Sequence, residues 1–471
     1  MDYRMSSLEY PRTTGENVRF GCGQSGQSGM VCSLREEEEV RLSARAPAQL
    51  PLAVGVTLAG TYLGAAEYLG LPHPELPPAL AAVIFGAAII GAAFLLSWAA
   101  EAAQVDISAG LAIALLAIVA VLPEYAVDLV FTHQAGQVFA EQGHCATEGG
   151  NPCSLALANM TGANRILVGF GWPLVVLVAS IAAARAKSSN PRPGRVEFQP
   201  AISVELAFLG IATIYSLTLP LRSSLTLVDA AVFVAIFAAY AWRLAQAPPE
   251  EPDLIGVADW IGRKPAKGRR GFVIGMFAVA GLIILACAEH FAESLVSTGE
   301  QLGVDKFLLV QWVAPLASES PELIVACLYA WRLKASQSLA TLLSSKVNQW
   351  TLLVGTIPVV FAISAGTFSG LPIDGHQRLE LLLTAAQSLF AVSILLDRVL
   401  TGGAAGVLFG LFGAQFAASL LLSPEANRWV ALGLSAVYVL LALVRLTLRF
   451  RDTGRTFKDG IATPFEKLGG V

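Results

Sequence analysis

The chain has 471 residues, of which 55% are hydrophobic and only 14% charged, and its formal net charge is -4. Soluble domains carry about 25% charged residues, so this deficit excludes an ordinary soluble protein and points to a membrane. A net negative chain offers no basic face to neutralise phosphates, which excludes a nucleic-acid partner.

Residues 1–48 are polar, include the run "REEEEVR" and lack a short apolar core with a cleavage site. They read as a disordered cytoplasmic tail rather than a signal peptide. Cys22 and Cys32 in this tail are a weak metal pattern and read as incidental.

A spanning helix needs about 20 mostly apolar residues. Twelve such stretches follow, at 51–70, 79–101, 108–131, 154–183, 202–219, 225–245, 271–293, 305–331, 337–365, 378–396, 400–421 and 427–449. The stretches 154–183 and 337–365 are too long for simple spans. Each has a proline in its second half, Pro173 or Pro358, so both are expected to be bent or broken.

The predicted organisation is an all-α integral membrane protein. The tail 1–48 leads into an extra spanning helix and loop over 49–78. A first half covers 79–245, a cytoplasmic linker 246–270 and a second half 271–421. An extra helix over 422–450 and a cytoplasmic tail over 451–471 complete the chain. The linker is too short to hold a calcium-binding domain.

Lys and Arg in short loops mark the cytoplasmic side. The loops "ARAKSSNPRPGR" and "GRKPAKGRR", the "WRLK" turn and the C-terminal tail with Arg449, Arg451, Arg455 and Lys458 are basic. Loops 132–153 and 294–304 contain no Lys or Arg. With twelve helices these facts predict cytoplasmic termini in a bacterial-type plasma membrane. Cys145 and Cys153 then share an outward loop where a disulfide is permitted, though free thiols fit equally well. Cys287 and Cys327 read as small packing residues.

Two regions repeat. "VDISAGLAIALLAIVAVLPEYAVDLVF" and "VDKFLLVQWVAPLASESPELIVACLY" both open on Val-Asp and reach Pro-Glu 17 or 18 residues later. Each is followed by a second matching segment, "LALANMTGANRILVG" or "LATLLSSKVNQWTLLVG". Five helices separate the starts of the two copies, and an odd number inverts the second. Inverted repeats with interrupted helices meeting at mid-membrane are a secondary-transporter pattern.

Region 79–421 resembles the membrane domain of the sodium/calcium exchanger family, whose repeats read "GTSLPEL" followed by a "GN-V-GSN" helix. The stretches that carry the likeness are "VAVLPEY" at 119–125, "ANMTGAN" at 158–164, "ASESPEL" at 317–323 and "SSKVN" at 344–348. The resemblance implies an inverted-repeat fold of five plus five core helices with one extra helix at each end. It also implies that Glu124 and Glu322 meet near the membrane centre and bind the transported cation.

Carboxylates suit a hard divalent cation, or sodium with fewer ligands. When no cation is bound, one of two adjacent carboxyls can hold a proton, which gives a route to proton exchange. Pro123 and Pro321 remove backbone hydrogen bonds beside the acids and are expected to break the helices there, freeing carbonyls. The resemblance places Asn159 in the cation site. Gly162 and Asn164, with Asn348 as the counterpart of Asn164, match the family's Gly-Ser-Asn and suit close packing equally. Asp128 lies one turn beyond Glu124, either on the outward pathway or at a watery helix end. Glu101, Glu289, His290 and Glu293 decorate the preceding helices, in a vestibule or at helix ends, and Asp106 and Asp305 suit helix caps.

The chain departs from the family pattern at the hydroxyl pair that helps form sodium sites. In the first repeat the pair is Ala120-Val121; in the second it is Ser318-Glu319. The partner of Asn159 falls at Leu343 and that of Gly162 at Lys346. Lys346 is expected to pair with Glu319 or Glu322, or to take the volume and charge of a bound cation.

The sequence therefore predicts a cation antiporter working by alternating access around Glu124 and Glu322, with the second and seventh helices as gates. Na+, H+ or Ca2+ are its substrates, and no cofactor is expected. The alternative is an exchanger-fold protein that has lost cation exchange or carries another solute. No HExxH or Gly-x-Ser-x-Gly pattern supports a membrane enzyme.

Overall fold

The computed structural model describes residues 26–106, 122–147, 151–186, 193–247, 254, 256–303 and 305–468, with side chains from residue 48 onward apart from Pro123 and Pro321. Cys22, Ala120, Val121 and the side chain of Cys32 lie outside the described residues.

Apolar runs satisfy their backbone polar groups internally as helices, as hydrocarbon demands. The first half holds α1 (Gly26–Leu69), α2 (Pro78–Ala103), α3 (Leu122–Gln142), α4 (Pro152–Ile166), α5 (Trp172–Arg185), α6 (Ser203–Ser216) and α7 (Leu227–Leu244). The short α8 (Gly256–Gly262) lies in the linker. The second half holds α9 (Ala266–Leu302), α10 (Lys306–Trp331), α11 (Ala335–Asn348), α12 (Val354–Ala365), α13 (Gly375–Leu395), α14 (Gly402–Leu421), α15 (Pro424–Leu448) and α16 (Phe450–Ile461).

Among the described residues, ten helical stretches are long and apolar enough to cross a membrane. The predicted spans 108–131 and 305–331 are not among them. The first lies partly outside the described residues. In α10 only the segment Glu322–Trp331 counts as a shorter apolar helix. The two shortfalls are the helices that carry the Pro-Glu motifs.

α1 starts at Gly26, inside the stretch expected to be disordered. The segment "SLREEEEVRLSARA" is rich in Leu, Glu, Arg and Ala, all strong helix formers, and this explains the difference.

The two over-long segments are interrupted at corresponding places. A π-helical turn at Leu167–Gly171 joins α4 to α5, and another at Gln349–Leu353 joins α11 to α12. Both precede a proline, Pro173 or Pro358. Pro173 clashes with the carbonyl one turn back, at Gly169 inside the first π turn, and the wider turn accommodates the misfit without ending the helix; Pro358 stands one turn farther from its own. These segments are respaced rather than cut. Counted from the π turns, Asn164 pairs with Lys346, two residues away from the register read in the sequence.

Two small antiparallel ribbons fasten the halves together. Strand β1 (Arg195–Glu197) pairs with β4 (Val399–Thr401), matching Val196 with Leu400. Strand β2 (Ser224–Leu225) pairs with β3 (Leu371–Pro372), matching Leu225 with Leu371. Each ribbon takes one strand from each half, and exchanging the halves exchanges the ribbons. That is the symmetry an inverted repeat requires.

The buried apolar side chains form two main clusters. One joins α1, α2, α8 and α9 to the beginning of α10, through Ala88, Ile89, Cys287, Phe291 and Val310. The other fills the space among α4 to α7 and α10 to α13, around Trp172, Phe233, Trp350 and Phe361. α1 approaches its neighbours through glycines: a Cβ on Gly60 would lie 2.7 Å from the Ala88 Cβ, and one on Gly64 would lie 2.0 Å from the Ala286 carbonyl oxygen. α16 docks on α6 in the same way, since a Cβ on Gly460 would lie 2.2 Å from the Ser203 carbonyl oxygen.

Cys145 and Cys153 are joined by a disulfide that closes the loop between α3 and α4. Cys287 is free and buried, as a packing residue should be; Cys327 is free and half-buried. Asp305 caps α10 by accepting from the Phe307 amide at 2.8 Å. The helix start that would follow Asp106 lies outside the described residues. Asp106 accepts from Arg269 Nε and Nη2 at 2.7 and 2.8 Å, which ties the first turn of α9 to the end of α2.

Candidate functional site: a buried carboxylate cluster between the two repeats

α3 and α10 carry their Pro-Glu motifs into the middle of the molecule. Glu124 and Glu319 are fully buried. Glu322 is half-buried by surface exposure. The three lie within electrostatic range of one another. An ionisable group in hydrocarbon is costly to keep there, so three together are a site rather than a packing accident.

Their oxygens are largely free. Both oxygens of Glu124, both of Glu322 and one of Glu319 have no hydrogen-bond partner among the described residues. The remaining Glu319 oxygen accepts from Gln349 Nε2. Ser318 adjoins Glu124 but donates into its own helix, to the Ala314 carbonyl at 3.3 Å. Ser345 stands near Glu322 with its hydroxyl unpaired.

Asn159 and Asp128 form one unit. Asn159 Nδ2 donates to Asp128 Oδ1 at 2.9 Å, which leaves Asn159 Oδ1 and Asp128 Oδ2 unpaired. Both residues are buried, so Asp128 does not sit at a watery helix end.

Lys346 is also completely buried, but it does not form the expected ion pair with Glu319 or Glu322. Its ammonium donates to Asn164 Oδ1 at 2.6 Å and to the Asn164 carbonyl at 3.1 Å, and lies 4.8 Å from the Trp350 ring centre. Gln349, three residues on, meets Glu319 instead, and the lysine crosses to the first repeat. Lys346 still acts on Glu319 through space. Asn348 accepts from the Tyr125 hydroxyl at 3.3 Å, tying α3 to α11. Leu343 is buried and apolar, as its side chain requires.

Pro321 does not break α10, whose helical backbone runs through it without interruption. A proline in a helix interior removes one amide donor, and the ladder continues on either side. Pro123 falls in the first described turn of α3, and the backbone before Leu122 lies outside the described residues.

Gly162 permits the closest helix approach in the site. A Cβ there would fall 1.7 Å from the Gln311 carbonyl oxygen, so α4 and α10 cross backbone to backbone.

Sequence reasoning passed over a second buried network beside Asn164. Arg165 Nη2 lies 2.6 Å from Glu380 Oε2, and Gln311 Nε2 donates to the same oxygen at 2.8 Å. The guanidinium sits 5.1 Å from the Trp312 ring centre. A lone Arg and a lone Glu in apolar spans are the signal that would have found this pair. Gln349 and Tyr125, each next to a motif residue, were missed for want of any charge.

Glu101 is half-buried in α2, with Ser97 Oγ at 3.4 Å. Glu289 accepts from Tyr68 at 2.6 Å, and His290 Nδ1 lies 3.2 Å from Glu67. Glu289, His290 and Glu293 thus face the end of α1, away from the central carboxylates.

Two interlocked halves with respaced helices, crossing at paired glutamates, define an inverted-repeat membrane exchanger. Residues 78–245 and 272–447 match the family model for the sodium/calcium exchanger protein, one stretch in each half. The chain belongs to that family. A structure described as the H+/Ca2+ exchanger CAX is similar to it with a TM-score of 0.77 and 40% identity, over 88% of this chain and 97% of that one. The structure of native YfkE shares the fold, with a TM-score of 0.54 and 15% identity over 82% of this chain and 99% of that one. No protein of curated function matches the chain.

Proposed function

We propose that this protein is a secondary active antiporter that exchanges Ca2+ for protons at Glu124 and Glu322. The observation that carries the proposal is the meeting of three carboxylates with five unpartnered oxygens. Oxygen-rich anionic sites suit Ca2+, and Asn159 Oδ1 is a further free oxygen beside them. One Ca2+ leaving two carboxylates can be replaced by two protons with charge conserved. Similarity to the H+/Ca2+ exchanger supports protons over sodium as the coupled ion. So does the chemistry of the first repeat, where Ala120 and Val121 carry no hydroxyl.

The two apolar clusters support alternating access by sliding. α2 and α9 pack in one cluster with α1, and most of the bundle packs in the other. A shear between the two exposes the carboxylates first to one side and then to the other. The basic loops 184–195 and 262–270 favour the cytoplasm on their side, and the disulfide loop favours an oxidising exterior on the opposite one.

The test is radioactive calcium uptake by proteoliposomes. A pH gradient should drive Ca2+ uphill, and a sodium gradient at fixed pH should not. Sodium-driven uptake would reverse the choice of counter-ion. A second reading, exchange lost or another solute carried, is favoured by Lys346 standing in the site; no Ca2+ movement under any gradient would select it.

A further inference from the structure

α1 packs tightly on α2, where a Cβ on Gly91 would lie 2.6 Å from Thr57 Cγ2. The helices do not close around α10 in the same way. A cavity of about 320 Å³ remains, walled by α1, α2, α8 and α10. Sites for small ligands run from about 300 to 1,000 Å³, so this one is large enough to hold a guest. Val56, Phe94, Val325 and Leu328 make its body apolar. Leu52 and Leu328 line it and are exposed, so it opens on the side of the bundle, where the surrounding medium is hydrocarbon.

The charged and amide side chains of the lining are Gln49, Glu101 and Arg332. Gln49 precedes the apolar run of α1, Glu101 lies in the last turn of α2, and Arg332 follows α10 in the basic WRLK turn. All three therefore stand at one membrane edge, that of the basic loops. Trp98, one turn before Glu101, adds an amphipathic ring at the same level. From Glu101 back to Ile90 the cavity follows α2 for about 16 Å. One leaflet of hydrocarbon is about 15 Å deep, so the cavity has the depth of a single acyl chain and a polar rim where a head group would sit.

The rim is complementary to a particular head group. Arg332 presents a guanidinium, whose fork matches phosphate. Glu101 presents Oε2, which is buried and has no hydrogen-bond partner among the described residues, and Ser97 Oγ lies 3.4 Å from its other oxygen. A head group with phosphate alone would leave that carboxyl facing an anion. One that carries both a phosphate and a primary ammonium meets both groups.

We propose that this cavity binds one phosphatidylethanolamine from the leaflet on the basic-loop side. One acyl chain lies along Val56, Phe94 and Val325, the phosphate meets Arg332, and the ammonium donates to Glu101. The site is independent of which ions the protein carries, so its test does not depend on transport.

The test places the full-length protein in phosphatidylcholine vesicles with a trace of phosphatidylethanolamine that carries a diazirine in mid-chain. After irradiation the labelled peptides are mapped by mass spectrometry. Label on the cavity-lining peptides of α1, α2 and α10 should fall about fivefold when unlabelled phosphatidylethanolamine is added as a minor component. Label on the exposed face of α15 should fall only by dilution. Phosphatidylglycerol, which has the phosphate but no ammonium, should compete about threefold less well. Glu101→Gln should abolish that difference, and Arg332→Gln should weaken both competitors. Val325→Trp fills the cavity and should remove the saturable label; should it not insert, Leu52→Trp at an exposed position serves the same purpose. Label that never saturates, or saturable label that neither filling variant reduces, would overturn the site. Equal competition by phosphatidylglycerol in the wild type would overturn the assignment to phosphatidylethanolamine.

Discussion

The two Pro-Glu helices began as the same element and no longer do the same work. In α3 the glutamate is followed by Asp128 and Thr132; in α10 it is followed by Ala326 and Ala330. Two residues before the proline, the second repeat has Glu319 and the first has Val121. The first repeat has moved its extra polar groups toward the disulfide-loop side. The second has placed one more carboxylate in the centre and added Lys346, which crosses to Asn164. Symmetry supplies the meeting point of the helices, and departures from it set the polar groups around that point apart in the two halves.

The largest expected effect comes from the feature the halves still share. Glu124→Gln and Glu322→Gln should each lower Ca2+ uptake on the order of 100-fold or more, since each removes a charge from the proposed cation site while keeping its shape. A large loss for one and a small loss for the other would mean the asymmetry reaches the glutamates themselves.

Lys346→Met makes the second half more like the first. Removing a buried positive charge that acts on Glu319 should lower the KM for Ca2+ about 10-fold and let Na+ compete, both measurable by flux titration. A loss of uptake as deep as that of Glu322→Gln would instead make the lysine part of the transport cycle. Because Lys346 bonds Asn164 and not Glu319, exchanging the charges of Glu319 and Lys346 should not restore the single-variant losses.

Gly162→Ala probes the crossing of the halves. Its Cβ would meet the Gln311 carbonyl, so overpacking should cost about 1–3 kcal/mol, read as a lower unfolding midpoint in detergent. Cys145→Ser with Cys153→Ser loosens only the first half, at a cost of about 2 kcal/mol for so short a loop, seen in the same assay.

The smallest effect is electrostatic. Hydrogen bonding from Arg269 holds the Asp106 carboxyl below the usual carboxylate range against some desolvation. A folded value below the unfolded one contributes stability that is complete above the unfolded pKa of about 3.9 and is lost as pH falls through the folded value. Unfolding midpoints of wild type and Asp106→Asn should therefore differ slightly above about pH 5 and converge in stronger acid.

Much of this was legible in the chain. Long apolar runs, the repeated Pro-Glu and the basic loops follow from what hydrocarbon excludes, and that pressure acts on each residue where it stands. Glu124 and Glu322 could be nominated because an acid in an apolar span is conspicuous by itself, and Asn159 only through the family resemblance. The partner of Lys346 could not be read in this way. A lysine on α11 has acids within a few turns on α10, and only the packing of four helices decides that Gln349 meets Glu319 while the ammonium reaches Asn164. The π turns themselves leave no mark in composition, and counting from them pairs Asn164 with Lys346 rather than with Asn348. The pairing of Arg165 with Glu380 joins residues far apart in sequence, and Gly162 shows its purpose only against the Gln311 carbonyl.

The sequence by itself determined that the chain lives in a membrane, folds as two opposed copies and brings acids to their crossing. Those properties rest on solvent exclusion and internal repetition, which are written residue by residue. The tertiary structure alone decided which acids remain unpaired, where the buried lysine points and that one half carries a polar row the other lacks. Hydrogen bonds and ion pairs are short-ranged, so their partners are fixed only when the helices pack.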